Sequence, residues 1–142
     1  MRKQFLLFAA TILFIHAGSA QNIQHKIVFD FVKSDTADFR IMMTQINNVL
    51  KEAPTTIIEV VCYGPGLFML VDGKTNVSKE MEEIQNRSVV SFAACANTMR
   101  RLKVDKSQLL SYVKIVPVAI LELSTRQQEG WSYIKAGYIN TP

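Results

Sequence analysis

In this 142-residue chain the residue placed best for chemistry is Cys95. It closes the β-branched run Ser88–Ala94 (SVVSFAA) and opens a helical stretch, Cys95–Lys103. A helix N-terminus carries about half a positive charge. A thiol placed there has its pKa lowered, so more of it is nucleophilic thiolate near neutral pH. That chemistry requires the sulfur to be exposed where strand turns into helix. The same residue can instead be a small core side chain, since free cysteine is among the most buried types. Cys62 lies inside the apolar run Thr56–Tyr63 (TIIEVVCY) and reads as core.

Other catalytic sets are poorly supplied. His25 opens a strand, at the wrong end for a site built at strand carboxyl ends, and no Ser-His-Asp or Cys-His set assembles around it. No His/Cys/Asp cluster has metal-ligand spacing, and no cofactor is implied. Asp35 and Asp38 stand where a helix begins and suit capping better than acid–base work. Gly64-Pro65-Gly66 has the look of a phosphate loop, but Met69 takes the third glycine place and Pro65 has no N–H, so a tight turn is expected.

The elements that must position these residues alternate. His25–Val32 is a strand. Phe39, Met42, Met43, Ile46, Val49 and Leu50 recur at helical spacing up to Lys51, and Pro54 stops that helix. Thr56–Tyr63 is a strand apolar on both faces, which suits a central position under helices. Leu67–Val71 is a short helical turn. Val77, Met81 and Ile84 mark an amphipathic surface helix with Lys79, Glu80, Glu82 and Glu83 outside. Ser88–Ala94 is the third strand and Val113–Val116 the fourth. Pro117 suits the first turn of the next helix, which runs to about Gln128 and ends at Gly130. Trp131–Lys135 is an edge strand.

This β/α alternation predicts a three-layer α/β sandwich around a mostly parallel sheet of about five strands. Right-handed crossovers bring the loops after the strands to one rim, where ligands of such sheets bind. Ser34–Asp38, Tyr63–Gly66 and Ala94–Asn97 fall there. Beside Cys95, the candidate binding residues are Tyr63, Gly64, Gly66 and Asn97. With the first strand between the second and third, Cys62 and Cys95 would lie about 9–10 Å apart. A disulfide needs Cα atoms within about 7 Å, so two free thiols are expected.

The amino terminus reads as a sorting signal. Arg2 and Lys3 precede an apolar run, Phe5–Ile15, and small residues Ala17-Gly18-Ser19-Ala20 follow. This is the pattern of a secretory signal cut after Ala20, and the run is shorter than the roughly 20 residues of a membrane span. Residues 1–20 are thus expected to be removed, leaving 21–142 as a single domain, periplasmic or secreted, with no membrane span. Cleavage takes away Arg2 and Lys3 and halves the formal net charge of +4. The remaining basic cluster, Arg100, Arg101, Lys103 and Lys106, suits a helix end, and no nucleic-acid footprint is left.

Three stretches, Ile57–Leu67 (IIEVVCYGPGL), Val89–Val104 (VVSFAACANTMRRLKV) and Val116–Gly137 (VPVAILELSTRQQEGWSYIKAG), resemble the DsrE/DsrF-like family of sulfur-relay proteins. Arg126, Gln127, Glu129, Gly130, Trp131 and Tyr133 fit its closing motif. The resemblance implies a small fold like flavodoxin, assembled as homo- or hetero-oligomers. It also implies a persulfide carried on the cysteine matching Cys95, with a thiol or persulfide protein as donor or acceptor. Two functions therefore stand side by side. One is an exported sulfur carrier, at most sulfurtransferase-like, working through Cys95. The other is a non-enzymatic, oligomeric binding module in which Cys95 is structural.

Overall fold

The computed structural model describes residues 24–137. The sorting signal read at residues 1–20 lies outside them. Among the described residues no helix is long and apolar enough to cross a membrane.

The chain runs through β1 (Lys26–Phe31), α1 (Thr36–Glu52), β2 (Ile57–Cys62), a 3-10 segment (Gly64–Leu70) and α2 (Ser78–Arg87). It continues through β3 (Val90–Cys95), α3 (Ala96–Leu102), a 3-10 turn (Lys106–Gln108), β4 (Lys114–Val116), α4 (Ala119–Gln128) and β5 (Ser132–Lys135). All five strands are parallel, in the order β4-β3-β2-β1-β5. The chain is therefore the expected α/β sandwich.

Topology explains its lopsided layers. From β1 to β4 the strands step in one direction, and right-handed crossovers then set every connecting helix on the same face. Phe39, Met42, Met43 and Ile46 of α1, Met81 and Ile84 of α2, and Met99 of α3 pack there against Phe29, Phe31, Ile58, Val60, Cys62 and Phe92. The methionine stripe is core. The return from β4 to β5 steps the other way, so α4 lands alone on the opposite face. Its Ala119 and Leu123 cover a thinner core of Val28, Val61, Ala93, Cys95 and Val116. Ile120 and Leu121 on the outside of α4 stay 57% and 64% exposed.

Two local readings resolve. Asp35 is the cap of α1, its carboxylate accepting from the Ala37 N–H at 2.7 Å. Pro117 is not in the first turn of the last helix: Val118 is the cap, with extended backbone, and α4 begins at Ala119. The Pro117 carbonyl is instead taken by the Asn97 N–H at 3.3 Å, which ties this loop to α3.

The strand order expected around the cysteines is also corrected. β2 and β3 are neighbours, with Cys62 in register with Ala94. Both thiols are free, but for a different reason. Successive side chains along a strand point to opposite faces. Cys62 faces the thick core and Cys95 the thin one.

Candidate functional site

Cys95 is the last residue of β3 and the cap of α3. Its pairing with Val116 sets the end of β3 beside the loop that starts α4. The Ala119 N–H, first in α4, donates to Cys95 Sγ at 3.4 Å. The Thr98 amide and hydroxyl, and last the Asn97 amide, whose N–H is shared with the Pro117 carbonyl, favour the charged form of the same sulfur. Burial pushes the thiol up, but these donors outweigh it and hold Cys95 below an ordinary thiol. Hydrogen bonds to the charged form favour that form. The arrangement is a cradle for a sulfur anion.

The sulfur is not open on the rim, however. Cys95 is 4% exposed. The exposure expected at a strand-to-helix junction is overridden by α4, whose first turn comes down over the end of β3.

The turn after β2 is joined to this cradle through one hydroxyl. Thr98 Oγ1 accepts from the Gly64 N–H at 3.2 Å while its proton goes to Cys95. Gly64 reaches that position at φ +53°, in the left-handed region that glycine adopts without penalty. Gly66 has another task. A Cβ there would stand 2.5 Å from the Phe31 carbonyl oxygen and 2.8 Å from Val32 Cα, so the turn is pressed against the end of β1. Its N–H returns to the Tyr63 carbonyl at 3.0 Å. Asn97 lends its amide to the sulfur, while its exposed side chain accepts from Arg100 at 3.1 Å. Tyr63, Gly64 and Asn97 thus gather around Cys95, and Gly66 packs the turn that holds them. His25 lies at the amino end of β1, beside Asn48, Glu52 and Thr56 at the opposite rim.

Asp30, Thr98 and Ala119 have no place in the sequence reading, and Tyr133 enters it only as part of the closing motif. Asp30 is a buried carboxylate near the end of β1, and the Tyr133 hydroxyl donates to its Oδ2 at 2.6 Å. That bond, with burial and the Asp30 charge behind it, pushes Tyr133 up to about 12. Burial first, then the charge of the same carboxylate, raises Tyr63. A signal was present: in KIVFDF, Asp30 shares the inward parity of Val28, a charge where a core side chain belongs. The pair spans β1 and β5, where the strand order reverses and ligand sites of open parallel sheets form.

Arg126, Glu129 and Trp131 of the closing motif have a structural task. Glu59, fully buried within β2, is ion-paired with both Lys114 and Arg126. Arg126 also binds Glu122 and Glu129, each at 2.9 Å, and its guanidinium lies 5.0 Å from the centre of the Trp131 ring. These contacts fasten α4 and the start of β5 onto the sheet.

The comparisons agree with this geometry. No curated protein matches the chain. A solved structure, that of a protein of unknown function from Methanobacterium thermoautotrophicum, has a TM-score of 0.74 and 28% identity, covering 79% of this chain and 99% of that one. The family model for DsrE/DsrF-like proteins extends over residues 11–136, nearly the whole of the strand-and-helix order traced above, and the chain belongs to the DsrE/DsrF-like family.

Proposed function

We propose that this protein is an exported, homo-oligomeric sulfur carrier that takes up sulfane sulfur on Cys95 and hands it to an acceptor thiol. One observation carries the reading: a cysteine of a DsrE/DsrF-like chain whose sulfur receives the Ala119, Thr98 and Asn97 amides. Thiolate is the nucleophile in exchange at sulfur. In loading, the Cys95 thiolate attacks the outer sulfur of a donor persulfide, RS–SH. A new S–S bond forms to Cys95, the donor S–S bond breaks, and the donor leaves as RS⁻ while the outer sulfur keeps its proton. In unloading, an acceptor thiolate attacks that outer sulfur and Cys95 leaves as thiolate, back into its cradle of donors. Neither step needs an outside oxidant or reductant. The amides lower the cost of the anion at both ends of the cycle.

The test is direct. After incubation with polysulfide, the intact mass of the protein is expected to rise by one sulfur atom, and Cys95→Ser is expected to abolish the gain. No gain, or a gain that survives Cys95→Ser, would overturn the carrier reading.

A second reading has its own support in the burial of Cys95 and the bare outer face of α4 at Ile120 and Leu121. In it the protein is a non-enzymatic oligomeric binding module and Cys95 is structural. The mass measurement separates the two.

A further inference from the structure

The end of α3 carries more positive charge than a helix end explains. Arg100 and Arg101 lie in its last turn, where cations suit the dipole. Lys103 and Lys106 lie past that turn, on the way to β4. A groove of about 470 Å³ opens here, lined by Arg100, Lys103 and Lys106 and by the apolar side chains of Met99, Val104 and Ile115. Against the three cations the lining holds one carboxylate, Asp105. Among the described residues none of the three cations is ion-paired.

Lys103 adds a second, separate observation. It alone among the described non-glycine residues takes the left-handed region, at φ +54°. Its N–H closes on the Arg100 carbonyl and the next N–H, that of Val104, on the Met99 carbonyl at 2.9 Å. Glycine ends a helix this way without strain, and a side chain does not. A lysine kept there against the preference of the backbone points to a use for its side chain.

The groove is not the pocket of the sulfur. Ile115 is in register with Ala94, which faces the thick core, whereas Cys95 faces the thin one. It does open beside an edge of the sheet, since β4 has a neighbour on one side only. We propose that this groove docks an acidic, extended segment of another protein along the free edge of β4, with carboxylates on Arg100, Lys103 and Lys106 and an apolar side chain on Met99, Val104 and Ile115. Charge complementarity selects that occupant. A second copy presenting the same groove would set like charges against each other. A phosphate ion has no use for the apolar side chains, and the lining has no aromatic ring on which a nucleic-acid strand could stack. Nothing in this docking needs Cys95 to react, so it goes beyond the carrier reading.

The test follows the fluorescence anisotropy of a labelled peptide, Glu-Leu-Glu-Leu-Glu, at low ionic strength and with no sulfur donor. Lys103→Gln and Lys106→Gln are each expected to weaken its binding about five-fold, the upper worth of an exposed ion pair. Arg101→Gln removes the same charge outside the groove and is expected to stay within about two-fold of wild type. Ile115→Ser is expected to weaken binding as well. Lys103→Gly is expected to raise the midpoint of urea unfolding while weakening the peptide, the mark of a residue kept for binding at the expense of the fold. No binding, or equal binding of Gln-Leu-Gln-Leu-Gln, would overturn the proposal. So would a loss in Arg101→Gln as large as in Lys103→Gln, because net charge rather than the groove would then govern. Tighter binding of an oligothymidylate with the same dependence on Lys103 would make this a nucleic-acid site instead. Self-association of the wild type that is lost in Lys103→Gln would give the groove to a second copy. A lower urea midpoint for Lys103→Gly would place the lysine in the service of the fold, again against the proposal. A sulfur adduct on Cys95, present or missing, changes none of these readouts.

Discussion

Arg126→Ala is expected to lower the unfolding free energy by about 3 kcal/mol, read from urea denaturation, because it strips a buried carboxylate of one of its two cations. Glu59 has no exposed side-chain surface, whereas Lys114 and Arg126 keep part of theirs. The asymmetry decides the sign. Losing the carboxylate lets the two cations turn to water, but losing Arg126 leaves a charge in the sheet with Lys114 alone. The stacking on Trp131 and the pairs to Glu122 and Glu129 go with it. Adding Glu59→Gln to Arg126→Ala should therefore recover part of the loss, as coupled neighbours do. A cost for Arg126→Ala below about 1 kcal/mol, the range of a surface pair, would mean that the network does not hold α4 to the sheet.

Gly66→Ala is expected to cost about 3 kcal/mol, at the upper end for overpacking. The atoms its Cβ would strike, the Phe31 carbonyl and Val32 Cα, are backbone of the segment leaving β1 and cannot rotate away. Gly64 makes the contrast. It has open space around its Cβ position but lies at φ +53°. Gly64→Ala should thus cost only the left-handed penalty, about 1 kcal/mol. Equal losses at the two positions would show that conformation, rather than close approach, governs this turn. The two glycines read alike in the sequence. One serves a left-handed turn of the chain toward Thr98 and the other a contact with a strand far away in sequence.

That difference marks how far the sequence was legible. Element type is local, so the β-branched runs, the methionine stripe and the cap at Asp35 could all be read from neighbouring residues. The family was legible as well, because the Cys95 junction and the Arg126–Tyr133 run lie in order along the chain. Strand order is not local. Placing β1 between β2 and β3 gave two free thiols through a distance, while the fold gives them through opposite faces of neighbouring strands. The burial of Cys95 depends on where α4 lands after its crossover, which no window around residue 95 contains. Glu59 sits in an otherwise apolar run, and its partners Lys114 and Arg126 are more than fifty residues on. Asp30 was the exception: its inward parity was visible, though its partner Tyr133 was not.

The sulfur anion at Cys95 is the foundation of the mechanism, and its acidity is open to one measurement. The rate of iodoacetamide labelling at Cys95 is followed against pH, with Cys62, whose thiol burial drives far up, as the unreactive reference. The expected midpoint lies below that of a free thiol, about 8.5, because the Ala119, Thr98 and Asn97 donors outweigh burial. A midpoint at or above the free-thiol value would contradict the cradle and, with it, transfer of sulfur through this residue.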